Sequence, residues 1–163
     1  MKAYRRTLLI AIFGLLLLLA LALPAGATPP QTYSFSGTNS DVIHCEGFDD
    51  NFTDVFSARR TVFFDNAGNT IRVVEHVVSH STDTNSVTGL TLHEHDRGTT
   101  TVDLRTGQIS IVGGPIRMNR KGQGIVIHDT GIVVFDAEGN IIFEGGPHEA
   151  LHEGDQVFCA ALS

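Results

Sequence analysis

Beyond residue 27 the apolar positions come in short runs rich in Val, Ile, Phe and Thr, and no stretch sustains a helical period. The runs fall at 33–36, 42–45, 61–64, 70–78, 87–92, 99–104, 109–112, 124–127, 132–135, 141–143 and 156–160. Gly, Asn or Asp punctuate them, the pattern of β-strands joined by tight turns. The turns repeat. Phe64-Asp65-Asn66-Ala67-Gly68-Asn69-Thr70-Ile71 matches Phe135-Asp136-Ala137-Glu138-Gly139-Asn140-Ile141-Ile142, and Asp103-Leu104-Arg105-Thr106-Gly107-Gln108-Ile109 is a looser third copy. In each, Asp caps the turn and Gly takes the left-handed position before the next strand. Gly113-Gly114-Pro115 and Gly145-Gly146-Pro147 each follow an apolar run. Proline lacks an N–H, so the strands are expected to stop or kink there. Asn119–Gln123 reads as another turn.

Successive short strands with tight turns predict an all-β antiparallel meander, closed or nearly closed into a small β-barrel that hides its edges. A two-sheet β-sandwich is the alternative. Both accommodate strands that are apolar on two faces, such as the one carrying Ile71, Val73, Val74, Val77 and Val78.

The first residues have a different pattern. Lys2, Arg5 and Arg6 precede an apolar run from Leu8 to Leu23, then Pro24-Ala25-Gly26-Ala27. This reads as a signal peptide over 1–27, cleaved after Ala27. The competing reading is a retained anchor, although about 16 apolar residues fall short of the ~20 a spanning helix needs. The expected organisation is therefore a leader over 1–27, a flexible lead over 28–31 and a single barrel-like domain over 32–163, in a secreted or cell-surface protein. Removing the leader leaves 8 basic residues against 18 acidic ones. That balance argues against nucleic acid, and against a membrane once the leader is gone. The two cysteines, Cys45 and Cys159, are an isolated pair. In an oxidising compartment they are expected to form a disulfide tying an early strand to the last one, the alternative being two free thiols.

All eight histidines lie beyond the leader. His93 and His95 are two apart on a predicted strand, so they share a face and are the candidate ligands for a divalent metal. The segment is similar to the first half of a cupin metal motif, but its glutamate and glycine spacing departs from that motif and the Pro-Gly-x-x-His half is missing. Leu90 and Leu92 mark the opposite, core-facing side, which turns Thr91, His93, His95 and Arg97 toward solvent. His148 and His152 are four apart and would meet only on a helical turn. His76 and His80 share one face, and His128 cannot pair with its neighbour Asp129 because adjacent strand residues point oppositely. The run 49–54 reads as an acidic loop able to hold calcium weakly, with a glycosylation sequon at Asn51. There is no Gly-x-Ser-x-Gly and no phosphate-binding glycine loop.

Gly131 to His148, followed by Asp155 and Cys159-Ala160-Ala161-Leu162, together with Cys45 and the leader, resembles a group of small exported bacterial β-proteins of unknown function. The resemblance implies architecture and a bacterial source, and no activity. The leading functional expectation is a non-catalytic binding module for a small apolar ligand, held in the barrel mouth as in lipocalin-like barrels, or for a surface partner. The alternative is a histidine-based metal protein or a small-barrel enzyme of the isomerase or cyclase type. Its candidate pool is His76, His93, His95, His128, His148 and Asp129. A third reading is a filled barrel whose exterior is its function.

Overall fold

The computed structural model describes residues 28–163, so the proposed leader lies outside the described residues. Seven strands form one antiparallel meander: β1 (Gln31–Cys45), β2 (Phe48–Phe64), β3 (Thr70–Asn85), β4 (Thr91–Asp103), β5 (Gln108–Arg120), β6 (Gly124–Phe135) and β7 (Ile141–Gly145). Two short helices follow, α1 (Glu149–Glu153) and α2 (Gln156–Leu162).

The predicted turns form as their chemistry requires. Asp65 Oδ1 accepts from the N–H groups of Ala67 at 2.9 Å and Asn69 at 2.8 Å. Asp136 Oδ1 does the same for Glu138 at 3.1 Å and Asn140 at 2.8 Å. Gly68, Gly107 and Gly139 take the left-handed backbone at φ 85°, 73° and 87°. The two Gly-Gly-Pro breaks behave differently. At Gly113-Gly114-Pro115 the strand continues, but its register shifts against both neighbours. At Gly145-Gly146-Pro147 the sheet ends.

Four expectations are corrected. The ladder runs from β1 to β7 without closing, so neither a closed barrel nor a two-sheet sandwich is formed among the described residues. The five-residue β7 stops at Gly145, and the chain leaves as helices instead of running along β1. Residues 156–160 are helical. Val157 with Ala161, and Phe158 with Leu162, recur at the helical spacing of four, and Ala-Ala-Leu favours helix. Residues 49–54 are not a loop. They sit inside β2, paired with both β1 and β3, so alternate carboxylates point to opposite faces. Residues 86–89 form a turn before β4, where the Asn85 side chain accepts from the N–H groups of Val87 and Thr88.

The packed core lies at one end of the sheet, where α2 sits on it. Leu92, Met118 and Ile127 come from β4, β5 and β6, and Val157 and Leu162 from α2. α2 touches β1, β2, β3 and β6, so it spans the gap that strand pairing leaves open. The Cys45–Cys159 disulfide fastens it there, with Cα atoms 5.5 Å apart. The bridge joins a strand end to a helix, not two strands. Asn85 Nδ2 adds a hydrogen bond to the Leu162 carbonyl at 3.1 Å.

Two stability outcomes follow from this geometry. Gly131 has φ 129°, and a Cβ there would overlap the Gly145 carbonyl oxygen; Gly68, though left-handed, has open space around it. Gly131→Ala is expected to cost about 3 kcal/mol or more and Gly68→Ala about 1–2 kcal/mol, measured by urea unfolding. Changing both cysteines to serine opens a loop of 114 residues, with an expected loss of about 4 kcal/mol on the chain-entropy account.

Candidate functional site

Strand alternation sorts the charges onto two faces. The register carries one face across the sheet from Asp54 through Ser81 and Glu94 to Met118 and Ile127, which is the face packed against α2. Asp41, Asp50, Asp54, Glu75, Asp83, Glu94, Asp96, Asp129 and Glu144 all share this inward parity. Among strand carboxylates only Asp49 and Asp103 turn outward. The outward face instead holds Arg59, Arg72, His76, His80, His93, His95, Arg97, Arg117 and His128.

Between the inward face and α2 lies a cavity of about 590 Å³. One wall is polar: Asp54, Ser79, Ser81, Asp83, Glu94 and Asp96. The remaining lining is mixed: Val42, Ile43, Phe52, Pro115, Ile116 and Phe158 supply apolar surface, with Asp41, His44 and Asp155 among them. A smaller cavity of about 260 Å³, mostly apolar, shares Pro115, Ile116, Asp155 and Phe158 with the first and runs beneath α1.

The carboxylates are buried without cations. Asp50 and Asp83 are both 0% exposed. Asp50 Oδ1 accepts the Thr84 N–H at 3.1 Å, and Asp96 Oδ1 accepts the Arg117 N–H at 2.9 Å. Asp54 Oδ1 accepts from Ser81 at 2.9 Å. Neither oxygen of Asp83 has a donor, nor does Asp50 Oδ2 or Glu94 Oε1. Burying a charge that way is costly, so burial raises the proton affinity of these groups. Burial, and then the neighbouring Asp50 charge, push Asp83 up to about 7. Burial, with the charges of Asp83 and Asp96 behind it, pushes Glu94 up to about 9. Asp50 and Asp96 are also raised by burial, but Asp50 is steadied by Asp83 and Thr84, and Asp96 by Arg117, Ser79 and Glu94. The four groups thus crowd together as neighbouring carboxyls, each raising or steadying the proton affinity of the next. Asp83 lines the cavity, and neither of its oxygens has a hydrogen-bond partner.

A second buried pair lies beside this cluster. His148 Nδ1 is 2.8 Å from Asp129 Oδ1, and Asp129 Oδ2 accepts the Leu151 N–H at 3.3 Å. The hydrogen bond to Asp129 raises the His148 pKa against the opposing pull of burial. His148 does not line the acid cavity, so the pair fastens α1 to β6. His148 and His152 diverge, the latter reaching Glu144 at 3.2 Å.

The metal candidates His93 and His95 share the outward face of β4, exposed as their spacing predicts. His95 meets His80 of β3 instead of His93, with the two Nδ1 atoms 3.0 Å apart. His76 bonds Thr99 at 2.7 Å, and His128 stands opposite Arg117. Among the described residues no group of three or more His, Cys, Asp or Glu side chains is placed to hold a metal ion. The acid cavity itself was not anticipated from sequence. Its signal is present as Ser79-x-Ser81-x-Asp83-x-Asn85 and Leu92-x-Glu94-x-Asp96, polar residues alternating in phase with a core leucine.

A carboxyl whose pKa is higher in the folded than in the unfolded chain favours folding at low pH and opposes it at high pH. Asp83 and Glu94 start from ordinary values of 3.8 and 4.5. Stability is therefore expected to be greatest near pH 4–5 and to fall toward about pH 9, by on the order of a few kcal/mol. His148, raised from 6.5, contributes below that value and loses its contribution as the pH passes its raised pKa, which has the same sign. Urea unfolding of the wild type and of Asp83→Asn with Glu94→Gln, across pH 5–9, checks this; the double variant is expected to flatten the profile. Comparison of the chain with protein-family models, curated proteins and solved structures finds no match, so the functional reading rests on this geometry.

Proposed function

We propose that the chain is a non-catalytic binding module for a small amphipathic amine, its ammonium group at Asp83 and its hydrocarbon part against Phe52, Ile116 and Phe158. The observation that carries this is Asp83, fully buried with no donor on either oxygen, lining a cavity that also presents Phe52, Ile116 and Phe158. The wholly apolar ligand expected from sequence is narrowed by that acidic wall. An ammonium group supplies the missing donors and a compensating charge. Asp54 and Asp96 add negative potential nearby, and Ser79 and Ser81 add hydroxyls. The disulfide suits an oxidising compartment, in keeping with a secreted or surface-held protein.

Calorimetric titration with hexylamine, hexanol and hexanoate tests the reading. Hexylamine is expected to bind at one site, with heats that change with the ionisation enthalpy of the buffer, because Asp83 gives up its proton to pair with the ammonium. Asp83→Asn is expected to weaken hexylamine about tenfold or more, which corresponds to about 1.4 kcal/mol. Equal binding of hexanol, or no effect of Asp83→Asn, overturns the proposal in favour of a purely apolar ligand.

A further inference from the structure

The outward face carries a second site of opposite character. A groove of about 620 Å³ crosses β4, β5 and β6 there, and Arg97, Arg117, His95 and His128 line it together with the hydroxyl-bearing Thr99 and Thr130. No carboxylate lines it. The chain beyond residue 27 holds only 8 Lys and Arg against 18 Asp and Glu, and two of those arginines share this groove with no acid lining it. Three other arginines are engaged, Arg60 with Glu75, Arg105 with Asp103, and Arg72 over the Phe63 ring, while Arg59 on the same face is not. Among the described residues Arg97 and Arg117 form no salt bridge.

The backbone makes the groove. Register shifts between Glu94 and Arg97, and between Gly113 and Ile116, bend the sheet where Arg97 stands opposite Gly114. Gly113 is packed against the Arg97 carbonyl and Gly98, and Gly114 against Thr130, so close backbone approach shapes this stretch of the groove. Thr130 Oγ1 donates to the Gly113 carbonyl at 2.8 Å, so that carbonyl is already occupied. His95 is held at the groove's edge by His80.

We infer that this groove binds a phosphomonoester. A phosphomonoester carries a charge of about −1.5 to −2 near neutral pH and three acceptor oxygens, matching two guanidinium forks with the His95 and His128 imidazoles beside them. A carboxylate offers half the charge, and a sulfate ester a single one. The site lies on the face opposite the acid cavity and stands independently of the amine reading.

The test is titration of the intact domain with phenyl phosphate, followed by amide chemical shifts, with phenyl sulfate and benzoate as matched anions. Phenyl phosphate is expected to saturate one site, to shift amides around Gly98, Gly113 and Gly114, and to weaken as salt is raised. Arg97→Ala and Arg117→Ala, both at exposed positions, are each expected to weaken it about tenfold. Arg59→Ala, on the same face but outside the groove, is expected to leave it unchanged. Absence of saturation, an equal effect of Arg59→Ala, or equal binding of benzoate and phenyl sulfate overturns the assignment.

Discussion

The covering of one end of the sheet by α2 is the contact on which the rest depends. Leu92, Met118 and Ile127 are buried there together with Val157 and Leu162, and the same helix closes the acid cavity with Phe158. Asp83 owes its raised pKa first to burial, and Glu94 likewise. Without the helix these groups would face water and titrate as ordinary carboxyls. Packing, cavity and proton affinity thus share one cause. The disulfide matters because it holds that cause in place: seven strands with neighbour-only pairing leave β1 and β7 unjoined, and the covalent link through α2 supplies the connection that hydrogen bonds do not.

What the sequence makes legible is local. The Asp-x-x-Gly turns, the Gly-Gly-Pro breaks and the outward-facing histidines of β4 are fixed by residues within a few positions of each other, and they form as read. The cysteine pairing is legible for another reason, since only two cysteines exist. The helical character of 156–162 was obscured because Val157-Phe158 and Ala160-Ala161-Leu162 are apolar on any face, so strand and helix patterns fit equally. Sheet closure was not legible, because it depends on how far β7 runs, and that is set by a single Gly-Gly-Pro. The acid cavity depends on β2, β3 and β4 coming into register. Its members are spread from Asp50 to Asp96, and each alone looks like an ordinary surface carboxylate.

Because a strand side chain must choose one of two faces, the chain separates its charges without any domain boundary. The inward parity of Asp50, Asp83, Glu94 and Asp96 places carboxyls where solvent is excluded, and the outward parity of Arg97 and Arg117, with His95 and His128 beside them, leaves basic groups in water. The sheet is only one residue thick, yet its two surfaces present opposite chemistry. A one-residue slip in the register of β4 would exchange them, burying Arg97 and exposing Asp96. The bulge beside Arg97, where Gly113 tolerates φ 131°, keeps the two halves of β4 in phase with β5 despite the bend.

Neighbour-only pairing also orders events in time. Each strand of the meander bonds to the one made just before it, so hairpins can assemble in sequence as the chain emerges. The cavity cannot. Its closing wall, α2, and the second cysteine follow every strand in chain order. A sheet formed before they arrive would leave the inward carboxyls in water, where their ordinary charge opposes sheet-to-sheet association; the groups buried last would first act as a solubilising coat.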